Sequence, residues 1–418
     1  MGRLIIEGGV PLEGTIRVSG SKNAAVAAIP AALLARGPSR LENLPNITDV
    51  AVFADILRAL GASVDWEPEQ GVMVIDPAGF CCTEAPYELV KRLRASYYLI
   101  GVFLARFGHG QVALPGGCDI GLRPIDQHMK GFRALGAQAS MEYGVVTVDA
   151  DKLEGSTIYL DVTSVGATIN IMLAACLAEG RTVIENAAKE PHIVDLANYL
   201  NAMGARIQGA GTDVIRIRGV RELHGATHAI IPDEIEAATY MLMAVATGGR
   251  VRVTEVIPKH LEAVGAKLRE TGAEVREEGD TVEVISRGRP RAANVKTLPY
   301  PGFPTDLQQP YVAVMCRARG VSVVQETLFE NRFGYANELI RMGASIRVDG
   351  RTAIVEGVEK LYGAPVRASD LRGAAALVVA GLSAQGRTIV EGTYHLDRGY
   401  AAMVQKLQAL GARVARED

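Results

Sequence analysis

The sequence predicts an α/β protein of two domains, built from six repeats with three per domain and a buried helix in every repeat. Three observations lead there. The dipeptide Gly-Ala closes an apolar helical pattern at Gly61-Ala62, Gly136-Ala137, Gly204-Ala205, Gly272-Ala273, Gly343-Ala344 and Gly411-Ala412. The interval is about 70 residues, which suits compact subdomains better than a thin solenoid. A second helix, rich in alanine and apolar nearly all round, recurs in each repeat. The chain has 418 residues, too many for one ordinary core, and two domains of about 200 residues each are the natural division.

The helices that end at Gly-Ala, such as residues 50–60 and 194–203, stop on glycine as helices commonly do. An alternating strand follows, as in Ala62-Ser63-Val64-Asp65-Trp66 or Ser345-Ile346-Arg347-Val348. The alanine-rich helices read as residues 24–34, 167–178, 235–246, 307–318 and 373–384, and helices apolar on every face are buried. Short β-rich runs such as Val183-Ile184-Glu185 and Thr388-Ile389-Val390 come after most of them. Strands alternating with helices usually form a sheet covered by helices, but these helices look more buried than that layout needs. Turn-rich stretches put one domain crossing near residue 229, with residues 17–20 as another candidate.

Composition removes several function classes. Hydrophobic residues make up 48% and charged residues 22%, the balance of a globular protein. A net charge of -3 and 5% aromatic content argue against a nucleic-acid partner, which would show a basic excess and stacking side chains. Glycine and charge interrupt every apolar run before membrane-spanning length. Residues 1–8 carry no secretory signal pattern, and the five cysteines are odd in number and scattered, so a reducing cytoplasm is expected. No G-x-G-x-x-G follows a strand and no Walker A loop occurs. Only His224-Gly225-Ala226-Thr227-His228 has ligand-like spacing, Gly225 makes a helix there unfavourable, and no metal is expected.

Chemistry-bearing residues cluster just before the helices. Lys22, Arg94, Arg123, Arg332, Arg372 and Arg398 all stand at N-terminal ends. Cations favour the opposite end of a helix, whereas free N–H groups and the dipole at an N-terminus attract anions. The cations therefore point to an anionic ligand, the other reading being pairs with nearby acids, Asp370 with Arg372 and Asp397 with Arg398. Thr48, Asp49 and Asp233 read as N-caps. Lys189 and Glu190 fill the equivalent loop of another repeat. Cys118 lies in the glycine-rich run Pro115-Gly116-Gly117-Cys118, five residues before Arg123, where a positive neighbour or helix N-terminus favours thiolate.

These stretches carry a specific resemblance. Ser21-Lys22-Asn23-Ala24, Arg94-Ala95-Ser96, Leu114-Pro115-Gly116-Gly117-Cys118, Arg123-Pro124, Ser164-Val165-Gly166-Ala167-Thr168, Glu185-Asn186-Ala187-Ala188, Phe303-Pro304-Thr305-Asp306, Phe329-Glu330-Asn331-Arg332-Phe333, Asp370-Leu371-Arg372 and His395-Leu396-Asp397-Arg398-Gly399-Tyr400 resemble the UDP-N-acetylglucosamine enolpyruvyl transferases of the EPSP synthase-like family. The likeness is collinear from Gly8 to the C-terminus. It implies an inside-out α/β barrel in each domain, helices buried and sheets outside, with one domain over residues 22–229 and the other over 1–21 and 230–418. It also implies a monomer with two small-molecule substrates, phosphoenolpyruvate and UDP-N-acetylglucosamine. The enolpyruvyl group would pass to the sugar 3′-hydroxyl through a tetrahedral ketal, with release of phosphate, as the first committed step of peptidoglycan synthesis.

The resemblance assigns roles to residues here. Lys22, Asn23, Arg123, Arg332, Arg372 and Arg398 would hold phosphoenolpyruvate, whose two anionic groups suit planar guanidinium forks. Cys118 would protonate the methylene carbon, and its thiolate could also trap phosphoenolpyruvate as a covalent adduct, with no other cofactor. The same thiol would be alkylated by a phosphonate epoxide such as fosfomycin. Asp306 would accept the hydroxyl proton, with much of its value in positioning. Arg94, Arg123, Pro124, Ile125, Asp126, Gln127, Val162, Thr163, Ser164, Val165, Gly166, Asp306 and Leu328 would contact UDP-N-acetylglucosamine, with Asp370 and Glu190 in support. The chain departs from the pattern at Glu234, where relatives usually place arginine, and at Val162-Thr163, where some have lysine. Transfer to shikimate 3-phosphate is the rival reaction, disfavoured by the Cys118 loop and the lack of a Gly-Asn-Ala-Gly-Thr run. A non-catalytic paralogue that binds nucleotide sugar is the rival of another class.

Overall fold

The repeat is carried by helices that alternate between two roles. A computed structural model describes residues 2–114 and 125–417. These divide into two units, one of residues 20–114 and 125–231, the other of residues 2–19 and 232–417. The first unit carries α1 (Lys22–Ala31), α2 (Thr48–Ala59), α3 (Leu99–Phe107), α4 (Asp126–Ala134), α5 (Val165–Ala175) and α6 (Pro191–Ala202). The second carries α7 (Glu234–Thr247), α8 (Glu262–Glu270), α9 (Gln308–Met315), α10 (Ala336–Arg341), α11 (Leu371–Ser383) and α12 (Met403–Ala409).

The odd-numbered helices are the more deeply buried ones, and α1, α5, α7 and α11 among them are rich in alanine. In α5 every residue after Val165 is buried, in α7 every residue from Ile235 to Ala246, and in α11 every residue after Leu371. Small side chains let these helices approach closely, and α3 packs on α5 as α9 packs on α11. The even-numbered helices bury one face only; α8 buries Val264, Gly265 and Leu268 and leaves its charged side to solvent. Several expected boundaries shift by a few residues, since Leu307 starts in a 3-10 turn and α9 stops at Met315.

All six Gly-Ala stops have one geometry. Gly61, Gly136, Gly204, Gly272, Gly343 and Gly411 have φ of 97°, 94°, 102°, 96°, 93° and 82°. The following alanine N–H bonds back to the carbonyl five residues earlier, as Ala62 N to Leu57 O at 3.1 Å and Ala344 N to Leu339 O at 3.1 Å. This is the Schellman closure, which needs a residue without a Cβ in the left-handed region. The alanine that follows is buried in all six, so a larger side chain has no room.

Each described sheet has three antiparallel strands, and five sheets gain a fourth, parallel strand at one edge. Burial alternates along the strands, as in Val214–Arg218 and Arg250–Thr254, so one face packs on the helices and the other meets solvent. Helices thus fill the interior of each unit and sheets cover it. In the first unit the last strand, Thr227–Ala229, runs parallel to Ser39–Glu42 in the first repeat. In the second, β1 (Arg3–Glu7) lies between Arg387–Glu391 and Arg413–Glu417, antiparallel to both. The N-terminal strand therefore supplies the strand that the sixth repeat lacks. β2 (Glu13–Arg17) runs parallel to Arg250–Thr254.

Two expected caps are corrected. Ile47, not Thr48 or Asp49, occupies the N-cap position of α2 and makes no side-chain cap bond. Thr48 and Asp49 are already helical because the buried Asp49 is committed to an ion pair with Lys22. Asp233 does cap α7, accepting from Ile235 N at 2.9 Å and Glu236 N at 2.8 Å.

Glycine also permits close backbone contact within a repeat. A Cβ on Gly357 would stand 1.8 Å from the Ala318 carbonyl oxygen, whereas one on Gly37 would meet nothing within 4 Å. Gly357→Ala is expected to lose about 2–4 kcal/mol in denaturant unfolding, and Gly37→Ala to stay within about 1 kcal/mol of wild type.

Candidate functional site

In the first unit the N-terminal ends of the buried helices gather polar side chains. Lys22 opens α1 after its cap Ser21, whose hydroxyl accepts from Ala24 N at 3.4 Å. Its ammonium meets Asp49 on α2 at 3.0 Å, with the side chains 15% and 2% exposed. Asn23, also half-buried, follows it on α1. Arg94 begins the 3-10 turn Arg94–Tyr98 that leads into α3. Ser164 caps α5, accepting from Ala167 N at 3.2 Å, and so sets Val165 and the buried Gly166 in the first turn. Thr163 donates to Asn186 at 3.0 Å, and Val162 is exposed.

A buried neutral histidine fixes these ends relative to one another. His128 on α4 accepts from Asn170 Nδ2 through Nδ1 at 3.0 Å, and the same amide reaches Tyr97 O at 3.2 Å. Asn170 Oδ1 accepts from Gly101 N at 2.9 Å. Burial pulls His128 down to about 4, Asp126 opposing and Arg94 assisting, so it is uncharged at neutral pH. A Cβ on Gly166 would lie 2.8 Å from both the His128 ring and the Tyr97 hydroxyl. Helices α3, α4 and α5 are thereby locked where Arg94, Asp126 and Ser164 emerge. Ile125 precedes α4, and Gln127 within it donates to Asp126 at 2.7 Å and receives Asp161 N at 2.9 Å. Glu190 occupies the N-cap position of α6, before Pro191, and makes no side-chain cap bond.

The second unit holds a charge cluster. Asp306, in the 3-10 turn before α9, accepts from Arg332 Nη2 at 2.6 Å through Oδ1. Through Oδ2 it accepts from Arg372 Nη2 at 2.9 Å and Nε at 3.2 Å. The arginine side chains are 3% and 5% exposed and that of Asp306 is 29% exposed. Burial alone would raise the Asp306 carboxyl, but the charges and hydrogen bonds of the two guanidiniums hold it well below the usual carboxylate range. Burial also opposes the charge on Arg372, which Tyr400, Asp306 and Asp233 more than restore. The Arg372 guanidinium faces the Tyr400 ring at 5.4 Å.

Supports surround this cluster. Asp370 caps α11, accepting from Arg372 N at 3.0 Å and Gly373 N at 2.9 Å. The alternative reading of an Asp370–Arg372 ion pair does not hold: the carboxylate binds the Arg372 backbone, and Asp306 takes the guanidinium. Asp397 likewise pairs with Arg416, at 2.6 Å through both oxygens, and not with Arg398. Arg398 ends the turn Thr393–Arg398 near His395, which burial, then Arg398, pushes below its usual value. Glu326, buried and absent from the sequence-based candidates, accepts from Thr297 at 2.9 Å, Thr305 at 2.7 Å, Leu328 N at 2.8 Å and Phe329 N at 3.3 Å. It ties the Leu328 loop to the turn carrying Asp306.

Cys118, Arg123 and Pro124 lie outside the described residues. The family profile of EPSP synthase (3-phosphoshikimate 1-carboxyvinyltransferase) matches residues 6–407. The chain belongs to the EPSP synthase family. A UDP-N-acetylglucosamine 1-carboxyvinyltransferase 3 of Caldanaerobacter subterraneus subsp. tengcongensis is 56% identical over 416 residues, covering 100% of this chain and 99% of that protein. A UDP-N-acetylglucosamine 1-carboxyvinyltransferase of Clostridium botulinum is 54% identical over 417 residues, covering 100% of both. Among solved structures, the enolpyruvyl transferase NikO from Streptomyces tendae matches with a TM-score of 0.88 and 29% identity over 99% of this chain and 98% of that one. EPSP synthase from Acinetobacter baumannii shares the fold, with a TM-score of 0.74 and 19% identity over 100% of both chains.

Within this family member, Glu234 stands apart. It opens α7 beside the cap Asp233, and its Oε2 is buried without a hydrogen-bond partner. Burial, then the charges of Asp233 and Asp306, push it up to about 8, against the opposing pull of Arg372; Tyr300 faces it as well. A carboxyl that is more basic folded than unfolded stabilises the fold while protonated. That stability is lost as pH rises from the ordinary value of 4.5 through about 8. Glu234→Gln is thus expected to match wild type at pH 5 and to exceed it by about 1–3 kcal/mol at pH 9. Chemical unfolding at the two pH values checks this, and a difference independent of pH would contradict it.

Proposed function

We propose that this chain transfers the enolpyruvyl group of phosphoenolpyruvate to the 3′-hydroxyl of UDP-N-acetylglucosamine, releasing phosphate, the first committed step of peptidoglycan synthesis. The observation that carries the reading is the pair of buried guanidiniums closed on Asp306, in a chain 56% identical from end to end to a transferase of that name. Two forks with fixed charge suit a substrate that carries both a phosphate and a carboxylate. Lys22, Asn23, Arg123 and Arg398 join Arg332 and Arg372 in holding it.

The chemistry follows from the substrate. Cys118 gives its proton to the methylene carbon, and C2 becomes electrophilic. The sugar oxygen bonds to C2 while its proton passes to Asp306, forming the ketal. The C2–O bond to phosphate then breaks as the proton on Asp306 passes to the departing phosphate, a methyl proton returns to the Cys118 thiolate, and the double bond returns in the product. Asp306 is a poor base while both arginines hold it. An anionic substrate that draws a guanidinium away restores basicity at the moment it is needed. The nucleotide sugar is read by Arg94, Ile125, Asp126, Gln127 and the loop Val162–Gly166, with Arg123, Pro124 and Leu328. By the resemblance, Glu234 stands where relatives usually place arginine and Val162-Thr163 where some have lysine, which bears on how tightly the diphosphate is gripped. The enzyme works as a cytoplasmic monomer on small molecules, needing no cofactor beyond an adduct on Cys118. Transfer to shikimate 3-phosphate is less supported, because the relatives at 54–56% identity carry the other name.

Phosphate release should occur with phosphoenolpyruvate and UDP-N-acetylglucosamine, and Cys118→Asp should retain turnover at least tenfold above Cys118→Ser, since a carboxyl still donates a proton. Release with shikimate 3-phosphate alone would overturn the acceptor. Equal activity of the two variants would remove Cys118 as the acid.

A further inference from the structure

Two adjacent thiols, Cys81 and Cys82, have no part in the proposed reaction. Both are exposed, and their Sγ atoms stand 3.8 Å apart, within hydrogen-bond range. The backbone on one side of the pair is fixed. Cys81 N lies 3.4 Å from Leu60 O, and Gly61 and Gly79 approach so closely that a Cβ on either would sit 2.4 Å from the other's carbonyl oxygen. On the other side this repeat lacks the parallel edge strand of the other sheets, which is reduced to the single bridge Glu84–Gln111. One cysteine is therefore anchored, and its neighbour sits on backbone with few ladder bonds to restrain it.

The spacing has a chemical meaning. Two sulfurs bound to one tetrahedral centre at about 2.3 Å stand about 3.8 Å apart, so the thiols already have the bite of a chelate. Among the described residues no three His, Cys, Asp or Glu side chains group as a metal site. That suits a soft centre needing only two sulfurs better than zinc, which takes four ligands. The hydrogen bond to Cys81, then its charge, push the Cys82 thiol up. Cys176 and Cys316, by contrast, are buried, and burial pushes each up to about 12.

We propose that Cys81 and Cys82 form a surface dithiol clamp for thiophilic centres, of which trivalent arsenicals are the class that fits. With a monosubstituted arsenic(III) oxide, two As–S bonds form, the oxide oxygen leaves as water with both thiol protons, and arsenic stays trivalent. The test uses the full chain and phenylarsine oxide, followed by intact mass. One equivalent should remain bound under excess glutathione and be removed by 2,3-dimercaptopropanol, because only a dithiol competes with a chelate. Cys81→Ser and Cys82→Ser should each lower the glutathione-resistant adduct at least tenfold while leaving turnover without arsenical unchanged. No adduct, one that glutathione strips, or one that survives at wild-type level in either variant would overturn the proposal.

Discussion

One carboxylate bridging two buried guanidiniums is the interaction on which the second unit's chemistry depends. Removing either kind of partner from such a cluster leaves a buried charge uncompensated, typically at about 3–5 kcal/mol. Arg332, Arg372 and Asp306 come from three different segments, and each is placed by a neighbour. Asp370 caps the helix that carries Arg372, and Glu326 braces the turn that carries Asp306. The unit therefore holds two fixed positive forks with an internal anion seated between them. On the proposed function, that anion keeps the place of the substrate's own negative groups and becomes a base when they arrive.

The fold explains why such clusters form at helix ends. Helices α1, α3, α5, α7, α9 and α11 are buried over most of their length, so their flanks are mostly apolar or small, and the few polar ones are tied by hydrogen bonds, as Asn170 is. Polar chemistry is left to the first turn and the loop before it, where N–H groups are unpaired. His128 and Asn170 in one unit and Glu326 in the other are polar groups buried for geometry. Each is satisfied by bonds to backbone or side chains of separate segments.

Local chemistry was legible in the sequence and long-range pairing was not. The Gly-Ala stops could be read because a Schellman closure is settled by residues next to one another. Alanine-rich helices could be read as buried for the same reason. The inverted layering came with the family resemblance, since hydrophobicity says that a helix is covered without saying by what. The placement of β1 beside the sixth repeat's strands spans nearly the whole chain and leaves no local trace. Charge pairing was the least legible. Neighbours in sequence, Asp370 with Arg372 and Asp397 with Arg398, suggested pairs, yet Asp306 and Arg416 are the partners the fold brings in. Glu326 was missed because a glutamate just past a strand end looks like solvated surface, as Glu255 at the equivalent position of another repeat is.

The central claim is that Asp306 occupies guanidiniums that the substrate anion must take over. Calorimetric binding of inorganic phosphate to wild type and Asp306→Asn measures it directly. If the carboxylate is an internal competitor, the variant binds phosphate at least tenfold more tightly while its turnover falls about a hundredfold or more. Phosphate binding that is unchanged or weaker in the variant would contradict the claim and leave Asp306 as a brace for the two arginines.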